Sequence, residues 1–121
     1  MFELSITGDL ASAHFLRGYD GPCKDLHGHT WKVEVTIQSE KLNGIGLVVD
    51  FRDMKCRLKD ILKPIDHVCL NDLAYFKTVN PSTENLAQYI FREFSKACRP
   101  FVLKRVRVWE SETSSVTYSE S

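Results

Sequence analysis

The sequence has no long hydrophobic run and no excess of charge of either sign. No stretch reaches the roughly 20 apolar residues that a membrane-spanning helix needs. The 16 Lys and Arg residues balance the 16 Asp and Glu residues, so the basic excess of a nucleic-acid or membrane-surface protein is missing. The chain of 121 residues, with 43% hydrophobic and 26% charged residues, is typical of one small globular domain over residues 1–121.

The sequence also lacks a C-x-x-C pair among its four cysteines. The first residues, Met1 to Thr7, have neither a basic head nor a long apolar run, which predicts no signal peptide. We therefore expect reduced thiols in a cytoplasmic protein rather than a disulfide framework. Three cysteines are expected to be packing residues, and Cys23 is the exception.

The order of periodic segments predicts the fold class. Strand alternation runs over residues 2–15, with a bend expected at Gly8 and Asp9, and over residues 31–38, beginning near His27. Asp50 is a good N-cap for a helix that Pro64 ends, and helical spacing places Phe51, Met54, Leu58, Ile61 and Leu62 on one face of it. Pro81-Ser82-Thr83 opens a second helix. Two late strands follow, around residues 105–109 and 116–118. The order β-β-α-α-β-β predicts an α+β fold, with an antiparallel four-stranded sheet and two helices on one of its faces.

His27-Gly28-His29 is the strongest local signal for chemistry. Residues two apart on a strand point to the same face, so the two imidazoles would project side by side. His14 ends the first predicted strand, and a hairpin between the two strands would bring it close to both. Three neutral imidazoles with one open position are typical of a catalytic zinc site. The alternative is three separate loop histidines.

The position of Cys23, four residues before His27, allows three interpretations. The first is a fourth zinc ligand that closes a structural site, and the second is a general base beside the metal with a lowered thiol pKa. The third is a loop cysteine without a role. Spacing alone leaves these alternatives open.

Asp66-His67 is a second candidate, because a carboxylate beside a histidine sets its tautomer. Adjacent strand residues point apart, so this pair needs a turn, for which Pro64 is suited. The alternative is a pair with a structural role alone.

Glu110 is the candidate with the least obvious signal in the sequence. Strand parity places it on the apolar face with Val106 and Val108, where an unpaired carboxylate is unfavourable. It either binds two N–H donors of an amidine-like ring edge or lies in solvent beyond the strand. The segment Asn80-Pro81-Ser82-Thr83-Glu84-Asn85 is a good helix start, and its free N–H groups either serve capping alone or also meet a ligand.

Taken in order, these motifs resemble the 6-pyruvoyl-tetrahydropterin synthase and 6-carboxy-tetrahydropterin synthase family. The resemblance covers nearly the whole chain. Its motifs are Ala13-His14, Cys23-x-x-x-His27-Gly28-His29, Val49-Asp50-Phe51, Asp66-His67 with Leu70-Asn71, Pro81-Ser82-Thr83-Glu84-Asn85, and Trp109-Glu110 followed by Tyr118. It implies the tunnelling fold, in which subunits join into an oligomeric barrel. The implied assembly is a homohexamer, a dimer of trimers, with sites between subunits.

The resemblance also implies a role for each candidate residue. His14, His27 and His29 would hold zinc. Cys23 would accept a proton, with His67 as its relay partner and Asp66 orienting His67. Glu110 would bind the pterin ring, aided by Thr83 and Glu84. Leu10 and Ser12 stand where many members have Phe and Ala. Both lie beside His14, where they can alter the local packing, but neither change removes a ligand.

The implied substrate is the small molecule 7,8-dihydroneopterin triphosphate. The branch that makes 6-carboxy-5,6,7,8-tetrahydropterin for queuosine, a 7-deazapurine, is favoured because the chain is short and Asp66 to Asn71 has the form D-H-x-x-L-N. The alternatives are the 6-pyruvoyl branch of biopterin synthesis, which shares the same catalytic set, and a non-catalytic zinc-stabilised oligomeric module. No nucleic-acid or membrane partner is expected.

Overall fold

A computed structural model describes residues 1–21 and 24–120. Within them, an antiparallel four-stranded sheet is covered on one face by helices. The strands are β1 (Phe2–His14), β2 (His27–Ser39), β3 (Val102–Ser111) and β4 (Ser114–Tyr118), and the helices are α1 (Phe51–Leu62), α2 (Tyr75–Thr78) and α3 (Thr83–Ala97). Short 3₁₀ turns lie at Lys63–Ile65 and Leu70–Asp72. The predicted α+β fold is confirmed, with one additional short helix between the two predicted ones.

The strands lie in sequence order, and β1 and β2 form the long hairpin that positions the site. Their register is unbroken from Phe2 opposite Ser39 to His14 opposite His27. A register irregularity between Thr36 and Ile37 bends β2 against β3 at the far end of the sheet. The ends of β1 and β2 that carry the histidines therefore keep a regular antiparallel geometry.

The core lies between the sheet and helices α1 and α3. Alternate residues of β1, β2 and β3 contribute Leu10, Trp31, Val33, Val106 and Val108, which have 0% exposed area. The helices contribute Met54, Leu58, Leu62, Leu86, Ala87, Ile90, Phe91 and Phe94. The N-caps are as the sequence indicates, since Asp50 accepts from the Arg52 amide and Ser82 accepts from the Asn85 amide. None of the helices in the described ranges is long and apolar enough to cross a membrane.

Three local expectations are wrong. Phe51 was placed on the apolar face of the first helix, but it is 56% exposed because only Met54, Leu58 and Leu62 of α1 are buried in the core. Cys56 is exposed rather than packed, whereas Cys98 is buried. The expected bend at Gly8 is absent, since Gly8 pairs with Val33 in unbroken register.

Gly8 has a packing role instead. A Cβ atom at this position would lie 3.1 Å from Leu58 Cδ2 and 3.4 Å from Leu62 Cδ1. The missing side chain therefore allows α1 to pack close to β1, which is a recognised use of glycine inside a strand.

We expect Gly8→Val to lower the free energy of unfolding by about 1–3 kcal/mol, because the added methyl groups overpack the contact with Leu58 and Leu62. Urea denaturation with an unchanged m-value is the measurement. Gly28→Val is the matched control, since a Cβ built there has no heavy atom of the described residues within 4 Å apart from those of its chain neighbours. Equal stability of the two variants would show that the approach of α1 does not require glycine.

Candidate active site

The three predicted ligand histidines lie where the apolar core ends. Trp31 is fully buried, and its indole contacts the His14 and His29 rings, with ring centroids 4.8 and 4.9 Å away. His14 lies opposite His27 in the β1–β2 register, and their ring centroids are 4.5 Å apart. His29 completes the group at 6.2 Å from His14 and 6.3 Å from His27. The hairpin thus brings together the three histidines that the sequence singled out.

Each imidazole uses one nitrogen to donate to a backbone carbonyl. His14 Nδ1 donates to Pro81 at 2.7 Å, and His27 Nδ1 donates to Asp25 at 2.8 Å. His29 Nε2 donates to the Glu110 carbonyl. Because a carbonyl only accepts, these contacts set the tautomers and leave a lone pair on the second nitrogen of each neutral ring.

The free nitrogen of His14 has an unusual environment. Nε2 is buried without a hydrogen-bond partner in the described part of the chain, and the residue is 2% exposed. Burial lowers the pKa of His14, although the Pro81 carbonyl opposes this, so the ring is neutral near pH 7. A buried, unpaired imidazole nitrogen needs a partner from outside the described residues.

The donor set fits a zinc ion by chemistry, but the side chains are not arranged around one. As they lie, no group of three or more His, Cys, Asp or Glu side chains in residues 1–21 and 24–120 could hold a metal ion. His29 leaves Nδ1 free where His14 and His27 leave Nε2 free. Metal binding therefore requires side-chain rotation, and it stays a prediction.

Glu110 lies beside this cluster, on β3. The strand extends to Ser111, so Glu110 is half-buried rather than beyond the strand. Its carboxylate accepts from the Thr83 hydroxyl at 3.2 Å, and Thr83 Oγ1 accepts from the Trp31 indole N–H at 3.3 Å. Thr83 is 5% exposed and begins α3. The start of this helix therefore holds the carboxylate in place.

The three residues predicted to bind the ring line one cleft. It has a volume of about 180 Å³ and is formed by Thr83, Glu84, Glu110, Ser114, Ser115 and Val116. Glu110 also contacts the histidine cluster, because its backbone carbonyl accepts from His29. One residue of β3 thus joins the cleft to the three imidazoles.

Asp66 and His67 form a contact through a turn, as their adjacency required. His67 has φ = 57°, a left-handed conformation that costs a non-glycine residue about 1–3 kcal/mol. In that conformation, its Nδ1 lies 2.8 Å from Asp66 Oδ2. Its side chain is 79% exposed and lines a cleft of about 540 Å³ that His29 also lines. The turn therefore presents His67 at a cleft that it shares with one of the three histidines, His29.

Asp66 is anchored to β1 as well. Its Oδ1 accepts from the Ala11 amide at 2.9 Å. Burial raises the pKa of Asp66, but the hydrogen bonds from Ala11 and His67 outweigh burial and hold it below its usual value. The ionised carboxylate is therefore the stable form, and it makes His67 donate through Nδ1.

The remaining predicted catalytic residue, Cys23, lies outside the described residues. Its role therefore stays a prediction.

The family profile described as 6-pyruvoyl tetrahydropterin synthase matches residues 3–121. The chain belongs to this family.

Relatives from both branches of the family are similar to this chain. The 6-carboxy-5,6,7,8-tetrahydropterin synthase of Haemophilus influenzae is 31% identical over 142 residues, covering 99% of this chain and 100% of the relative. The human 6-pyruvoyl tetrahydrobiopterin synthase is 37% identical over 94 residues, covering 76% of this chain and 65% of the relative. The solved 6-pyruvoyl tetrahydropterin synthase of Caenorhabditis elegans superposes with a TM-score of 0.89 at 26% identity, covering 99% and 96% of the two chains.

Two asparagines position the end of β1 in this family member, and the sequence analysis gave them no role. Asn71 accepts from the Phe15 amide at 2.9 Å and donates to the Phe15 carbonyl at 3.0 Å. Asn80 does the same for Arg17, at 2.9 and 2.8 Å. Each side-chain amide thereby imitates a paired strand residue directly after His14. Asn71 belongs to the Leu70-Asn71 motif and Asn80 begins the helix-start segment, and this membership was the signal in the sequence.

The lowered pKa of Asp66 predicts how its contribution to stability depends on pH. A carboxylate whose folded pKa is depressed stabilises the fold above its unfolded pKa of about 3.9, and this stabilisation is lost as pH falls through the folded value. We therefore expect Asp66→Asn to be less stable than the unmodified protein above about pH 5. The difference should shrink below about pH 4.

Denaturant titrations of both proteins across this pH range are the measurement. Titratable groups that both proteins share contribute equally to the two free energies of unfolding. The difference between these free energies therefore reports the change at position 66. Asp60→Asn, on an exposed position of α1, controls for the change in net charge. A stability difference that persists unchanged into acid would contradict the assignment.

Proposed function

We propose that this protein converts 7,8-dihydroneopterin triphosphate and water to 6-carboxy-5,6,7,8-tetrahydropterin, acetaldehyde and triphosphate, as a zinc-dependent enzyme of queuosine biosynthesis. The observation that carries the proposal is the convergence of three histidines, the Glu110–Thr83 cleft and the Asp66–His67 pair at one end of the sheet. The full-length similarity to a relative named for the 6-carboxy product supports this branch.

His14, His27 and His29 are the residues that would hold the zinc ion. His14 Nε2, which is buried and has no partner among the residues that the structure describes, and the carbonyl contacts of Nδ1 in His14 and His27 suit metal ligation. When bound, zinc supplies Lewis-acid stabilisation of the oxygen charge that develops on the substrate side chain.

Glu110 would orient the pterin ring. Its Oε2 accepts from Thr83, which leaves Oε1 and further lone pairs for two parallel N–H donors, the amino group and the ring N–H of a pterin. The half-buried setting strengthens such charge-assisted contacts. Glu84, exposed at the same cleft, would add a second acceptor at its rim.

Cys23 and His67 would move protons at the side-chain carbons. A thiolate is the form of Cys23 that accepts a proton. His67 donates through Nδ1 to Asp66, so its exposed Nε2 carries the lone pair that would take the proton onward. Asp66 keeps the ring in this tautomer.

We further propose that the protein works as a homohexamer, a dimer of trimers, with sites completed between subunits. β1 and β4 are the edge strands, and the part of β1 before Ala11 presents an edge that soluble proteins normally cover. A small chain that also holds a ligand cleft gains stability from assembly.

Product identification tests the reaction. Zinc-loaded protein is incubated with 7,8-dihydroneopterin triphosphate, and the products are resolved by mass spectrometry. We expect acetaldehyde together with a 6-carboxy pterin. A 6-pyruvoyl product without acetaldehyde would assign the biopterin branch with the same residues. Intact substrate with zinc bound would favour a non-catalytic zinc-stabilised module.

Cys23→Ala separates the proton-acceptor role from a ligand role. We expect turnover to fall by about 10²-fold or more, because general-base catalysis contributes on that order. Zinc content, measured by atomic absorption, should stay at the unmodified level. Cys56→Ala is the matched control, since this cysteine is exposed on α1. A folded Cys23→Ala protein without zinc would identify Cys23 as a ligand and overturn the mechanism.

A further inference from the structure

The segment that carries Asp66 and His67 is held against the end of β1 by several hydrogen bonds. His67 donates its amide to the Ala11 carbonyl at 2.5 Å, and the Ala13 amide donates to the Val68 carbonyl at 2.9 Å. Ala13 and Cys69 form an isolated parallel bridge. The three residues of β1 just before His14 thus serve as a docking edge for the turn.

Ser12 adds a side-chain contact at the centre of this edge. Its hydroxyl donates to the Ile65 carbonyl at 2.5 Å and accepts from the Val68 amide at 3.2 Å. The residue is 7% exposed, so these bonds form largely away from water. One hydroxyl therefore joins the backbone on both sides of Asp66 and His67.

In this chain the Ser12 hydroxyl adds to the main-chain hydrogen bonds that hold the turn. The left-handed backbone of His67 is unfavourable for a residue with a Cβ, and it persists only where the surrounding structure holds it. Ile65 is anchored in the core at 1% exposure, whereas the His67 side chain is 79% exposed and makes its described polar contact with Asp66 alone. The backbone on either side must therefore determine where His67 lies.

We propose that Ser12 is a positioning residue for the Asp66–His67 pair. By holding residues 65 and 68 at a fixed separation, its hydroxyl maintains the turn in which His67 Nδ1 donates to Asp66. This inference goes beyond the expectation that position 12 alters the local packing. The expected effect on turnover rests on the proposed function. The hydroxyl itself takes no part in proton transfer.

NMR spectroscopy of zinc-loaded Ser12→Ala tests the placement without any substrate. We expect exchange of the Val68 amide to rise about tenfold, in line with the loss of one hydrogen bond. At about pH 8.5, where imidazole is neutral, the ring ¹⁵N shifts of His67 should change from the values of the Nδ1–H tautomer to those of a mixture of both tautomers. Unchanged exchange and an unchanged tautomer would overturn the proposal.

Ser5→Ala is the matched control. Ser5 lies on the opposite face of β1, where its hydroxyl bonds to Thr36 Oγ1 at 2.7 Å. This variant also loses one strand hydroxyl and one hydrogen bond, yet both His67 readouts should stay at the unmodified values. A change of the same size in Ser5→Ala would reduce the effect to general loosening of β1 and overturn the proposal.

Turnover supplies the catalytic readout. We expect kcat of Ser12→Ala to fall about tenfold while KM and zinc content stay constant, as for a misplaced relay group. Unchanged kcat with a loosened turn would overturn the positioning role. Absence of turnover in the unmodified protein would overturn the proposed function instead, and the NMR comparison would still decide the placement.

Should Ser12→Ala fail to fold, a measurement on the unmodified protein decides whether Ser12 contacts the Val68 amide. A nuclear Overhauser contact between the Ser12 β protons and the Val68 amide proton supports the proposal, and its absence overturns it.

Discussion

The register of β1 against β2 is the constraint on which the rest of the site depends. His14 lies opposite His27, and both project from the strand ends toward the helices. A slip of one residue would turn His27 and His29 to the open face of the sheet, because strand side chains alternate. The buried residues of both strands prevent this slip, since Leu10 and Trp31 would have to leave the core with the histidines. Core packing and site assembly are therefore consequences of the same pairing.

Backbone carbonyls from three other segments orient the histidines. They belong to Asp25 before β2, Pro81 before α3 and Glu110 on β3. These atoms cannot be removed by substitution of a side chain, and they set each tautomer in the way that orienting groups around metal-ligating histidines do. The segments that meet at this end of the sheet thus orient the three histidines through main-chain atoms.

The site's polar groups lie where the apolar core ends. Trp31 is in contact with two imidazoles on one side and with Thr83 on the other, and Thr83 in turn holds Glu110. Half-buried carboxylates and imidazoles need fixed partners in such surroundings. The contacts that these groups require for burial therefore also fix the positions of the groups to which we assign binding roles.

The sequence by itself determined the order of elements, the helix starts at Asp50 and Ser82, and the common face of His27 and His29. These features follow from periods of two and 3.6 residues and from local capping, which neighbours along the chain decide. Only the tertiary structure decided the role of Gly8, the exposure of Phe51, the left-handed turn at His67, and the contacts of Asn71, Asn80 and Ser12. Each of these features depends on which atoms from distant parts of the chain lie within hydrogen-bond or van der Waals distance. A periodic sequence pattern does not predict such contacts.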